Sequence, residues 1–415
     1  MALLIGFAIL LVVAVALQPA AAWVRLPFGA VAVALGFGAA RALEALGVAV
    51  DVEADAFGEA LLGLVIPVLL FDSALNLSLK GLPARAGALL WLALPGFLFA
   101  ASSLALLLHW LPPPGTLPSW VPALLGGVLI ACTDAAYAGA VVERFAATPG
   151  LRALLEGEAL LTQLLTILLF ATVLQFAPLG APPAPDAART VLDFFVALGG
   201  GLLTGFPIAV IGLGLLFTFR GAQACAVISL ASFVFTYALA TEFFHVSLAA
   251  ALVTVGLVLG AGNRRFCHEQ FMQDLWAFGG FLARAFVFLL AGFTFRPLLL
   301  QSHWSGVVLA LVGLLATRAL MTFLVLPRCT GSREMNGIAR TAVFWAGQRG
   351  AMNLTLVLAL PASLASHDPV QAVVLGAVLF SLLVQAPTLE PLLRLLDRRR
   401  GRGATPGDDA SEALE

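Results

Sequence analysis

Charged residues are scarce in this 415-residue chain, at 11%, against roughly 25% in an ordinary soluble domain. So little charge excludes water as the main solvent of the surface. Cysteine is scarce too. The four present, Cys132, Cys225, Cys267 and Cys329, are too widely spaced for a metal-ligand pattern or a disulfide framework and are expected to act as small apolar residues. The formal net charge of -1 says little about partners, since what counts in a membrane protein is where the basic residues fall, and nothing in the sequence suggests nucleic acid. No nucleophile-base pair, phosphate loop or metal-ligand cluster stands out, so neither an enzyme nor a cofactor or metal is expected. The first apolar run, Met1 to Ala22, lacks the basic residue that would precede the core of a signal peptide, and is read as a membrane span.

What the chain has is apolar length, with 61% hydrophobic residues. A helix crosses the hydrocarbon core with about 20 residues. Breaks at Pro, Gly and charge clusters predict about thirteen spans, near 3–22, 27–47, 57–77, 85–110, 120–142, 152–177, 190–218, 222–242, 245–262, 271–295, 304–326, 338–361 and 370–393. The expected fold is therefore an all-α polytopic membrane protein, with a transmembrane domain over 1–395 and a short disordered cytoplasmic tail over 396–415.

Basic residues sort between alternate loops, and cytoplasmic loops collect them. One side holds Arg25, Lys80, Arg85, Arg144, Arg152, Arg220, Arg264, Arg265, Arg328, Arg333, Arg340 and the tail arginines. The other holds Arg41, Arg189 and Arg296. This asymmetry predicts a cytoplasmic carboxyl terminus and, with an odd number of spans, an amino terminus outside. His109, His245, His268, His303 and His367 fall near span ends, as interfacial residues do.

An ionisable group in mid-bilayer costs several kcal/mol by most scales, which makes each one a functional candidate. These are Asp72, Asp134, Glu156, Glu158, Arg284, Arg318 and Arg349. Asp134 lies in Ala131-Cys132-Thr133-Asp134-Ala135-Ala136-Tyr137, where small and hydroxyl residues interrupt an apolar run, so the helix can unwind and expose backbone groups to an ion. The alternative is a structural partner for an arginine. Glu156 and Glu158 point about 200° apart on one helix. Glu156 suits a cap or a snorkelling position, whereas Glu158 shares a face with Thr162. A second broken stretch, Trp345-Ala346-Gly347-Gln348-Arg349-Gly350-Ala351-Met352-Asn353, flanks Arg349 with glycine. Arg349 either neutralises a carboxylate in the site or holds a half-helix in place. The fifth and twelfth spans carry the breaks, which suits two inverted six-helix repeats with crossed discontinuous helices.

These residues resemble the cation/proton antiporter superfamily, on its sodium/proton exchanger side. The resemblance rests on Phe71-Asp72-Ser73-Ala74-Leu75-Asn76-Leu77, Cys132-Thr133-Asp134-Ala135, Glu156-Gly157-Glu158-Ala159-Leu160-Leu161, Tyr237-Ala238-Leu239-Ala240-Thr241-Glu242 and Gln348-Arg349-Gly350-Ala351, in order along nearly the whole chain. It implies sodium or potassium exchange against protons by alternating access in the plasma (inner) membrane. It also implies a homodimer, with the cation, the proton and the lipid bilayer as partners. The implied site is Asp134, Glu158, Thr133, Thr162 and Gln163, with Arg349, Arg284 and Arg318 compensating charge.

Two departures stand out. The family's Asn-Asp pair, whose aspartate binds the cation and carries the proton, is Thr162-Gln163 here, and the serine before it is Ala159. An amide can ligate a cation but cannot exchange a proton near neutral pH, so that role is expected to pass to Asp134 or Glu158. Arg284 also stands where a neutral polar residue is usual. It is expected to pair with Glu158 or lie near a membrane surface. A cavity with excess arginine would instead favour an anion or small organic acid. A non-transporting sensor or regulatory protein on the same fold is the third reading, though no sizeable soluble output domain accompanies it.

Overall fold

The computed structural model describes residues 26–47, 54–78, 82, 85–111, 119–144, 150–177, 186–219, 221–266, 269–330, 337–364 and 366–403, with residues 9, 11–16 and 19. Every regular element among them is a helix. With no water to satisfy backbone groups in a bilayer core, a chain this apolar closes its hydrogen bonds within helices.

Ten helices are long and apolar enough to cross a membrane. In chain order the spanning units begin with α1 (Phe28–Ala45), α2 (Phe57–Leu75), α3 (Ala86–Trp110) and α4 (Trp120–Val142). They continue with α5 (Leu151–Leu174), α6 (Ala188–Thr218), α7 (Ala222–Phe243), α8 (Leu248–Gly262, shorter than the others) and α9 (Phe271–Phe293). The last are α10 (Trp304–Arg328), the discontinuous α11 (Gly337–Ala346 and Ala351–Leu358) and α12 (His367–Leu395). Each span expected from 27–47 onward coincides with one of these, and the expected span at 3–22 falls mostly outside the described residues. The tail differs at its start. The last helix runs on from Ala386 to Gly403, into the segment expected to be disordered, and 404–415 lie outside the described residues.

Apolar packing between helices gains little in lipid, so close backbone approach through small residues must hold the bundle. On α1 a Cβ at Gly36 would meet Leu289 O at 2.1 Å, and opposite it on α9 a Cβ at Gly292 would meet Val33 O at 2.0 Å. The two glycines admit each other's helix. A Cβ at Gly260 on α8 would likewise meet Leu75 O of α2 at 2.3 Å. The main core gathers side chains from α2, α3, α4, α5, α9, α11 and α12, and it encloses both helix breaks. Cys132 lies in this core as a free thiol, whereas Cys225 is disulfide-bonded, contrary to its expected part as a small apolar residue.

Candidate functional site

The two breaks meet inside the bundle. Helix α4 stops at Ala131, Cys132 leaves the helical region at φ -58° and ψ 132°, and helix resumes at Ala136. Thr133 and Asp134 favour this break because their short polar side chains compete with helical hydrogen bonds. In α11 the break spans 347–350, where glycines flank Gln348 and Arg349. One backbone hydrogen bond joins the breaks, from Asp134 N–H to Gln348 O at 2.8 Å.

Four half-helix ends therefore lie in apolar surroundings, and each carries unsatisfied backbone groups with the partial charge of a helix terminus. Asp134 serves the two amino-terminal ends. Its Oδ1 accepts from Ala136 N–H at 3.0 Å and its Oδ2 from Ala351 N–H at 3.1 Å. A Cβ on Gly350 would come within 2.2 Å of Oδ2, so glycine is what lets the carboxylate seat itself. Arg349 serves the carboxyl-terminal ends. Its Nε donates to Ile130 O at 2.7 Å, and its other nitrogens face Gly347 O and, at 3.5 Å, Ala131 O. Asn353 completes the set, donating to Leu129 O at 2.6 Å and Cys132 O at 3.1 Å while its Oδ1 accepts from Gly350 N–H. Of the two readings open for Arg349, the structure shows it holding half-helix ends. Asp134 meets no arginine among the described residues.

Glu158 has a different setting. Both its carboxylate oxygens face Arg318, one at 3.0 Å, and Arg318 also donates to Val343 O at 3.0 Å. The side chains are 2% and 11% exposed, so this pair is buried, beside a small cavity that Glu158, Thr162, Arg318 and Arg349 line. Next to it, Thr133 and Thr162 place their hydroxyls 3.0 Å apart, and Thr162 donates to Ala159 O. Gln163 is buried, with a long contact of 3.5 Å from its Nε2 to Thr133 O. Its Oε1 has no hydrogen-bond partner among the described residues.

The expectation for Arg284 is corrected. It pairs not with Glu158 but with Asp72, Nη1 to Oδ2 at 3.1 Å, and the other oxygen of Asp72 accepts from Asn76 at 2.7 Å. Glu156 pairs with Arg152 at 2.6 Å and accepts Ser78 N–H at 3.0 Å, at the end of α5 rather than in its middle. Asp134, Thr133, Thr162, Gln163, Arg349, Glu158 and Arg318 thus cluster where α4, α5, α10 and α11 meet. Arg284 stands apart on α9. Asn353 was missed as a working residue, although it sits in the interrupted stretch. Its only signal is an amide four residues from Arg349 in an otherwise apolar half-helix.

A helical bundle in lipid, crossed at mid-depth by two broken helices with buried charges on their ends, has the architecture of a secondary transporter. The chain belongs to the sodium/hydrogen exchanger transmembrane family, whose model matches residues 4–395. Among its relatives, the Na(+)/H(+) antiporter NhaP of Pseudomonas aeruginosa is 29% identical over 353 residues, covering 81% of each chain. The Na(+)/H(+) antiporter ApNhaP of Aphanothece halophytica is 27% identical over 347 residues, 81% of this chain but 65% of that longer relative. The solved sodium proton antiporter MjNhaP1 of Methanocaldococcus jannaschii shares the fold, with a TM-score of 0.78 at 17% identity over 93% of this chain and 100% of the other.

Proposed function

We propose that this protein is a sodium/proton antiporter that works by alternating access, moving one part of the bundle against the other around the crossed breaks of α4 and α11. The observation that carries this reading is the crossing itself, four half-helix ends held at mid-depth in a chain of the exchanger family. Thr133, Thr162 and Gln163 offer neutral oxygens for a bare cation beside it, and Asp134 and Glu158 fix the frame around them. The reading also takes the plasma membrane as its location, with the amino terminus outside, and a homodimer as its working form. Residues 1–395 form its transport domain.

The anion reading depended on arginines outnumbering acids in the core. They do not. Arg284 faces Asp72, Arg318 faces Glu158, and the charge of Arg349 on the carboxyl-terminal ends is offset by Asp134 on the amino-terminal ends. Purified protein in liposomes should move protons in response to a sodium or potassium gradient. No cation-dependent proton flux at any pH from roughly 6 to 9, where a carboxylate with a raised pKa would titrate, would sink the proposal.

A further inference from the structure

Exchange needs a carboxylate that can give up one partner for another, and Gln163 cannot be that group. At the level of the breaks the described residues offer Asp134, Glu158 and Asp72. Protonating Asp134 would strip two half-helix ends of the charge they face. Protonating Glu158 would leave Arg318 buried without a counter-charge. We infer that Asp72, paired with Arg284, is the carboxylate that alternately holds the proton and the cation in this protein. The inference rests on the exchange reading above and names its working group.

Four observations support it. The Asp72–Arg284 bond is single, and it is the only hydrogen bond Arg284 makes among the described residues. The arginine side chain is 24% exposed against 7% for the aspartate, so the guanidinium can swing away while the carboxylate stays put. Second, the place is built for a carboxylate, because a Cβ on Gly280 of α9 would lie 2.0 Å from Asp72 Oδ2. Third, the neighbouring span is the right one. Ser78 donates to Glu156 where α2 and α5 pack along each other, so Asp72 stands on a span next to the one that carries Thr162. The buried, unpartnered Oε1 of Gln163 follows directly after Thr162. Fourth, a cavity of about 440 Å³ enters from one end between α2, α9 and the Ala351–Leu358 half-helix, lined by Phe57, Leu61, Leu290, Thr294 and Leu358 among others. Leu290 is six residues, or about 9 Å of helix, from Arg284.

The charged groups around Asp72 are few. Arg284 comes from α9 and Asp134 from the α4 break, close enough for their charges to be felt. The span α5 brings Glu158 with its own arginine, and neither 248–263 nor 351–358 contains an ionisable residue. Arg284 then acts as a tethered counter-cation. It holds the carboxylate when neither proton nor sodium is bound, and it is displaced by either.

The test uses the full chain in liposomes, with two readouts. Infrared difference spectroscopy follows the C=O stretch of a protonated carboxylic acid as pH is varied, and a sodium gradient drives proton flux. The D72N variant should lose both the titrating band and the flux, while D72E and D134N keep the band. R284Q, which removes the opposite charge, should move the band's midpoint to higher pH by about 1 to 3 units. If D72N failed to fold, R284Q would decide, and an unmoved midpoint would overturn the inference. A band that persists in D72N would overturn it whatever the flux. A wild-type chain whose band depends on Asp72 but which passes no sodium-driven protons would support the assignment and refute the exchange reading.

Discussion

The Asp134–Arg349 crossing and the Asp72–Arg284 pair use the same two kinds of side chain in opposite ways. At the crossing neither charge faces the other. Each is given to backbone groups left open by a broken helix, through several bonds from several directions. At the pair Arg284 makes one bond, to Asp72, which also accepts from Asn76, and the arginine side chain is 24% exposed. A charge bound by many fixed dipoles is part of the frame, whereas the Arg284 charge, bound through one contact, can leave its partner. The Glu158–Arg318 pair belongs with the frame, because both oxygens are held and both side chains are buried.

Stability measurements in detergent can break this comparison. The largest effect is expected at E158A, which leaves Arg318 buried without its carboxylate and should cost about 3 to 5 kcal/mol. If instead E158A cost no more than D72A, the distinction between frame and exchangeable pair would fail. N353A should follow, at about 1 to 3 kcal/mol, because two buried carbonyls lose their donor. G350A should cost a similar amount, about 1 to 3 kcal/mol, as its Cβ displaces Asp134 Oδ2. Double-mutant cycles would sharpen the contrast, with a smaller coupling for Asp72 with Arg284 than for Glu158 with Arg318. The smallest effect belongs to the exposed Arg41–Glu44 pair, whose removal should change stability by less than about 0.5 kcal/mol.

Much of the architecture was legible because its signals are local. Apolar length set the spans, and the small and hydroxyl residues around Asp134 and the glycines around Arg349 marked both breaks. Partner choice was not legible. Arg284 stands nearer in sequence to Glu158 than to Asp72, and nothing local shows that α9 packs its arginine against α2 rather than α5. That contact depends on Gly280 letting the two helices approach, a property of two surfaces together. Asp134 was read as an ion site or an arginine's partner because a single segment shows a charge at a break, but not that another half-helix points its N–H groups at the same carboxylate.

The most direct test of the account is the melting temperature of the wild type, D72N and D134N as sodium is titrated at fixed alkaline pH, since a ligand stabilises the state it binds. Sodium should raise the wild-type value, leave D72N flat, and raise D134N from a lower baseline. A sodium response that survives in D72N and vanishes in D134N would contradict it.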